Sequence, residues 1–368
     1  MIASLILKLT ETCNLDCSYC YMFNSEDKTH TRVPKFMHLE TGLQILTRIE
    51  EYLQARQDAS LRLVLHGGEP TLWPESSMTP FLKALKELRQ RTGKRLSIGL
   101  QTNLYSYDAA LLHRVVDAGG SIGVSLDGPQ PYNDVRRITH SGEGSYRQVF
   151  ENLQLLEADG LLPYFGGVLS VADPGIAPEA YLDWIKTLPK KEVSILWPIH
   201  YNHDNPPQRD YGAWYAELFR LWSEADDPTI RIRIFRDAIK LLLGSAHHGD
   251  GVGGDRLSSL VVDSDGQYER HDYLRYFTDG AVRTDFNVFE HSIESAAEDP
   301  IIKQCRDLHA VLPEECAACT HSELCGGGFI ANRLGGTALD FTRKSIMCDD
   351  HRRFYDTVRT YVGAIAPL

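Results

Sequence analysis

No run of about eighteen apolar residues occurs in the sequence, so no membrane-crossing helix is expected. The N-terminus lacks the basic-then-apolar layout of a secretion signal and passes at once into the strand-like Ser4-Leu5-Ile6-Leu7-Lys8-Leu9. Positive charge is scarce: 38 Lys and Arg face 50 Asp and Glu, a net charge of −12. Nucleic-acid binding relies on clustered cations that neutralise phosphates, so that partner class is not expected either. There is no internal repeat and no low-complexity tract. With neither signal nor membrane span, a reducing cytoplasm is the expected setting for the eight cysteines, as metal ligands rather than disulfides.

What is present is a 368-residue chain, 43% hydrophobic, too long for one ordinary core and suited to a large barrel with an appended domain. Strand-like runs at Ser4–Leu9, Leu61–Leu65, Arg95–Leu100, Ser121–Leu126, Phe165–Ser170 and Val193–Trp197 alternate with helical patterns near 40–56, 77–91, 108–117, 145–158 and 178–187. This rhythm predicts βαβ units, a parallel sheet and a partial (β/α)6 barrel over residues 1–230. Tyr211 to Ala225 reads as a helix whose aromatics Trp214, Phe219 and Trp222 form a core face. Beyond about residue 230 the rhythm stops, Gly and Asp accumulate, and five of the eight cysteines appear, so 231–368 is expected to be a separate domain.

Cys13, Cys17 and Cys20 directly follow the first strand, in Cys-Asn-Leu-Asp-Cys-Ser-Tyr-Cys. Thiolates are soft ligands for iron–sulfur clusters. Three cysteines on a four-iron cluster leave one iron open, and an open position is how a metal site does chemistry. A fragment of a zinc site is the alternative on spacing alone. With Tyr19 before the last cysteine, the pattern resembles the radical S-adenosylmethionine (SAM) enzymes. The resemblance implies a [4Fe–4S] cluster that chelates SAM and cleaves it reductively to a 5′-deoxyadenosyl radical, with a flavodoxin- or ferredoxin-type protein as reductant.

Other strand ends extend the likeness. His66-Gly67-Gly68-Glu69-Pro70 matches the segment whose backbone and Glu hold the SAM amino group. Gln101-Thr102-Asn103 and Ser125-Leu126-Asp127 resemble segments that touch the SAM methionine and ribose, and a carboxylate such as Asp127 suits ribose hydroxyls. Asn133 to Arg137 resembles a segment whose Arg pairs with the SAM carboxylate, with Arg136 and Arg137 both open for that role. Leu196 is the candidate for packing on adenine.

Cys316-x2-Cys319-x5-Cys325, with Cys348 further on, can close a tetrahedral site, and structural zinc is the leading reading without context. Behind a radical SAM core it resembles the SPASM domain, which usually carries two auxiliary [4Fe–4S] clusters. Phe329 and His271 stand where two further cysteines of that domain would be. The resemblance therefore implies one auxiliary cluster, on Cys316, Cys319, Cys325 and Cys348. Cys305 is left over as a displaced ligand, a buried thiol or a hydrogen-atom donor. Asp272 follows the lost ligand position, where related sulfatase-maturing enzymes carry a general base. A carboxylate in a water-poor pocket is expected to have a raised pKa suited to that task.

Within the superfamily, Leu196 to Pro207, Tyr211 to Trp214, Asp265 to Arg275 and Cys325 to Arg333 resemble the cyclophane-forming peptide maturases. That implies a crosslink between an aromatic ring and a β-carbon of a ribosomally made precursor peptide, with His200, Tyr201, His203 and Asp204 lining its groove. Rivals are a thioether-forming, epimerising or sulfatase-maturing enzyme and, from another class, a zinc-stabilised peptide-binding protein. No winged-helix leader-binding domain precedes the barrel, so leader recognition is expected to use the groove or another protein.

Overall fold

The computed structural model describes residues 1–245, 252, 258–306, 312–336 and 338–365. Six strands carry the βα rhythm: β1 (Ser4–Lys8), β2 (Leu61–His66), β3 (Leu96–Thr102), β4 (Gly120–Ser125), β5 (Phe165–Val171) and β6 (Glu192–Leu196). Each lies within two residues of its predicted run. The expected helices appear at Leu39–Ala55, Glu75–Thr92, Ala109–Asp117, Tyr146–Ala158 and Pro178–Thr187. The fold is the expected α/β class, with six βα units of a partial barrel.

The chain forms two compact units. The first comprises Met1–Ser125, Arg136–Gly166 and Leu257–Lys303. In it β1, β2, β3 and β4 pair in parallel, with Ser4 opposite Arg62 and Lys8 opposite His66. Leu5, Leu7, Leu61, Leu63 and Leu65 alternate into the core at 1% exposure or less, as period-two patterning requires. On the other side of β1 lies β8 (Ser259–Val262), also parallel, followed by antiparallel β9 (Gln267–Glu269) and β10 (Arg283–Asn287).

The second unit comprises Leu126–Val135, Gly167–Arg256 and Gln304–Leu368. It holds most of β5, then β6 and the two-residue β7 (Arg231–Ile232), all parallel. Helices Tyr211–Ala225 and Cys348–Ile365 pack together through Tyr215, Phe219, Phe354 and Tyr361. Trp214 and Phe219 are buried at 5% and 1%, as expected of a core face, whereas Trp222 is half-buried.

The boundary expected at residue 230 does not coincide with these units. Leu257–Lys303 belongs with the N-terminal strands because β8, with Leu260, Val261 and Val262 fully buried, pairs the free edge of β1. An apolar edge left open would be exposed to mispairing.

Candidate functional site

β1 runs through Leu9 and Thr10 into the Cys13–Cys20 loop, and that loop is seated on the Gly67-Gly68 pair. Gly68 donates its N–H to the Thr10 carbonyl (2.8 Å) and Glu69 to the Thr12 carbonyl (2.9 Å). A Cβ on Gly68 would overlap the Thr12 carbonyl oxygen, and one on Gly67 would lie 2.5 Å from that of Thr10. Gly67 also has φ of +139°, a conformation open to glycine. The glycines thus admit the backbone that leads to Cys13. Gly68→Ala is expected to displace Thr12 and Cys13 at a cost of about 1–3 kcal/mol, the scale of overpacking. Iron bound per chain and the urea midpoint should both fall, and unchanged values would remove the seat argument.

Within the loop the backbone turns back on itself: Cys20 donates to the Cys17 carbonyl (2.9 Å) and Asn24 to that of Cys20 (2.8 Å). Burial pushes the Cys13 thiol up to about 12 and the Cys20 thiol up to about 11, against N–H groups aimed at the sulfurs. Cluster ligands must be deprotonated, so loading this loop releases protons.

Of the other predicted residues of this unit, Asn103 and Arg137 reach the loop. Glu69 is buried; its Oε1 accepts from Thr71 Oγ1 (2.7 Å) and Thr102 Oγ1 (2.6 Å), and its Oε2 from the Asn103 N–H (2.7 Å). It therefore clamps the end of β3 to the Gly-Gly turn. Asn103 points its amide at Cys13 Sγ (3.4 Å) and Asn14 Oδ1 (2.7 Å). Ser125 Oγ accepts from Gln101 (2.9 Å). Arg137, 7% exposed, donates to the Tyr19 hydroxyl (2.8 Å), whereas Arg136 is half-buried. Arg137 is thus the arginine turned towards the cysteine loop.

In the second unit Asp127 is buried, and its Oδ1 accepts the Val171 N–H (2.9 Å) while its own N–H donates to Asn133 (3.1 Å). Leu196 ends β6, opposite Val171. Of the loop residues expected to face a peptide, His203 and Asp204 are tied to the Lys344 carbonyl (3.0 Å) and the Gly336 N–H (2.7 Å). His200 and Tyr201 are half-buried with ring centroids 4.2 Å apart, and the Tyr201 carbonyl accepts from the Asn332 amide (2.8 Å).

Asp272 departs from expectation. Its carboxylate accepts from Lys8 Nζ (2.6 Å) and Arg275 Nε (3.1 Å) inside a buried network. Glu269 bridges the same Lys8 (3.1 Å) and Arg275 (2.6 Å), and Arg275 also meets Asp27 (2.5 Å). Burial pushes the Asp272 carboxyl up, but Lys8 and Arg275 override it and hold the group well below the usual carboxylate range. The raised pKa anticipated for a base is corrected accordingly. It is Glu269 that burial pushes up, to about 7 against the same two cations. Lys8 was missed in the sequence. A lysine in an apolar strand is itself a signal, since a fully buried ammonium demands carboxylate partners.

The four C-terminal cysteines form a second constellation. Cys316, Cys319, Cys325 and Cys348, with His321, Gly327 and His351 among others, line one pocket. Arg333, fully buried, braces the glycine turn by donating to the carbonyls of Gly326 (2.7 Å) and Gly327 (2.9 Å). Burial raises the Cys325 thiol to about 12, and the guanidinium opposes it. Among the described residues, no three His, Cys, Asp or Glu form a group fit for one metal ion. His271 instead caps the turn at Asp272, accepting from the Tyr273 N–H, and Phe329 is core at 1% exposure. Cys305 is buried and outside the lining of this cavity.

Comparison with known proteins agrees with this geometry. Residues 7–188 match the profile of the Radical SAM superfamily. The cysteine-type anaerobic sulfatase-maturating enzyme of Clostridium novyi (strain NT) is 22% identical over 96% of this chain and 94% of its own length. The serine-type enzyme of Klebsiella aerogenes is 24% identical over 97% of this chain and 83% of its own. The solved structure of native anSMEcpe with bound AdoMet and Cp18Cys peptide shares the fold, with a TM-score of 0.79 and 20% identity over 99% of this chain and 98% of that one. No helix among the described residues is long and apolar enough to cross a membrane. The cysteine triplet, the Gly-Gly seat and the ends of β1 to β5 all fall inside the stretch that is similar to the Radical SAM superfamily, and Leu196 at the end of β6 lies beyond it.

Proposed function

We propose that the chain is a radical SAM maturase that oxidises a side chain of a peptide or protein at its β-carbon. The observation that carries this is the pairing of a SAM-type cysteine loop in one unit with a four-cysteine cavity in the other. Similarity to sulfatase-maturating enzymes along nearly the whole chain supports that reaction class. When bound, a [4Fe–4S] cluster with SAM at Cys13, Cys17 and Cys20 supplies a hydrogen-abstracting 5′-deoxyadenosyl radical, and an auxiliary [4Fe–4S] cluster at Cys316, Cys319, Cys325 and Cys348 supplies an electron acceptor. Gly67, Gly68 and Glu69 seat the loop, Asn103 presents a polar group beside it, Ser125 is assigned to SAM binding at the end of β4, and Arg137 with Tyr19 offers a cation for a carboxylate. Asp127 and Leu196 are assigned to ribose and adenine. The substrate loses one hydrogen atom, one electron and one proton. Asp272 is the proposed proton acceptor. As an ion-paired carboxylate it is a weak base, adequate because an oxidised substrate centre is strongly acidic. A small flavodoxin- or ferredoxin-type protein is the proposed reductant.

Two products fit this oxidation. The relatives, one cysteine-type and one serine-type, favour a cysteine or serine β-carbon: serine would go directly to an aldehyde, and cysteine to a thioaldehyde that water hydrolyses to the aldehyde with release of hydrogen sulfide. A cyclophane crosslink is the second reading, favoured by the His200-Tyr201 loop and by His271 and Phe329 at the missing ligand positions. Candidate peptides incubated with reconstituted enzyme separate the two: an aldehyde is trapped by a hydrazide, whereas a crosslinked peptide is lighter by two hydrogens, inert to the hydrazide and resistant to proteolysis. Epimerisation without mass change would overturn both.

The ligand sets, one triplet and one quartet, predict two clusters. Iron and sulfide should approach about eight each per chain after anaerobic reconstitution. About four, with zinc bound, would overturn the auxiliary cluster; about twelve would mean that a second one survives on other ligands.

A further inference from the structure

His351 is a buried polar side chain that the reaction above leaves unused. It sits one turn after Cys348 in the helix Cys348–Ile365, so both project from the same face. It is 2% exposed, and its Nδ1 lies 3.5 Å from Cys325 Sγ. Its Nε2 is buried with no hydrogen-bond partner. Three features hold the ring in place. Trp197 packs on it edge-to-face, with centroids 4.4 Å apart at 88°. Gly328, at φ of +72°, leaves it room: a Cβ there would lie 2.7 Å from His351 Cε1. Asp350 accepts the Gly212 N–H (2.7 Å), pinning the start of the helix against Tyr211–Ala225.

Cluster loading takes the proton from Cys325, and the bare sulfur can then only accept. A neutral imidazole carries one N–H, and placing it on Nδ1 satisfies that sulfur. The atom left over, Nε2, is then a bare acceptor, a cheaper buried orphan than an N–H. Hydrogen bonds to cluster sulfurs are among the determinants of reduction potential. A donor stabilises the reduced cluster more than the oxidised one, because the added electron raises the negative charge on sulfur.

We infer that His351 is a positioning and potential-tuning residue, its Nδ1–H donating to the Cys325 thiolate and raising the reduction potential of the auxiliary cluster. The inference rests on the proposed auxiliary cluster. The cluster takes up one electron from the substrate radical, and no proton leaves His351.

The test uses the full-length chain carrying Cys13→Ala, Cys17→Ala and Cys20→Ala, so that any [4Fe–4S] signal comes from the quartet. A dye-mediated reductive titration read by electron paramagnetic resonance measures its midpoint potential. Adding His351→Phe should make reduction about tenfold less favourable, the scale of a charge-assisted hydrogen bond, or about 59 mV lower for one electron. Adding His351→Gln instead, which keeps an N–H donor, should recover part of the shift. An unchanged potential in the Phe variant overturns the inference alone. A parent that binds zinc and no cluster overturns the auxiliary-cluster reading and the inference with it. Pulsed resonance on the parent labelled with ¹⁵N-histidine decides the matter even if the Phe variant fails to load. Weak nitrogen coupling supports a hydrogen bond, whereas coupling strong enough for iron ligation, or none, overturns it.

Discussion

Replacing Cys13, Cys17 and Cys20 together by alanine is expected to abolish formation of 5′-deoxyadenosine while leaving about half of the bound iron in place. The three thiols sit on one short loop seated by Gly67 and Gly68, and no other described cysteine belongs to that unit. The four cysteines proposed to hold the auxiliary cluster line a pocket in the other unit. Removing three of three ligands leaves nothing to hold the SAM-binding iron, so the loss should be complete rather than graded. The cysteines are partly exposed and carry little of the core, so the circular dichroism spectrum should keep its native shape. A variant that still makes 5′-deoxyadenosine would overturn the radical SAM chemistry. Loss of all iron would show instead that the quartet does not bind a cluster independently.

Asp272→Asn should give the second large effect, and it should be double. As proton acceptor, its removal is expected to slow product formation by about 10²–10⁴ while 5′-deoxyadenosine still forms with peptide present. As the partner of Lys8 and Arg275 in a buried network, it should also cost about 3–5 kcal/mol of stability, because two cations lose a countercharge. The two roles separate with Lys8→Met, which breaks the same network and keeps the carboxylate. The stability loss should appear in both variants by urea unfolding, but uncoupling of SAM cleavage from product only in Asp272→Asn. Uncoupling of equal size in Lys8→Met would reduce Asp272 to a structural ion-pair partner.

The six βα strands could be read from the sequence to within two residues, because each is a short apolar run whose periodicity is local. The cysteine loop was legible for the same reason: ligand spacing over eight residues is set by a single turn of backbone. Even the helix Tyr211–Ala225 announced itself by its aromatic face. By contrast, the boundary at residue 230 could not be placed, since β8 returns to β1 across most of the chain and nothing in Ser259–Val262 names its partner. Gly67 and Gly68 were recognisable as a motif, but only the fold shows that what approaches them is the Thr10–Thr12 backbone.

What the sequence suggested by itself was therefore the resemblance to radical SAM enzymes, the cysteines proposed as cluster ligands and the order of strands and helices, all written in patterns a few residues long. What only the tertiary structure decided was the ionisation of Asp272, the inward turn of Arg137 and the approach of His351 to Cys325. Asp272 and Lys8 meet across 264 residues of chain, and His351 and Cys325 across 26. A carboxyl group's affinity for its proton depends on which charges are buried beside it, and those neighbours are chosen by packing rather than by position along the chain.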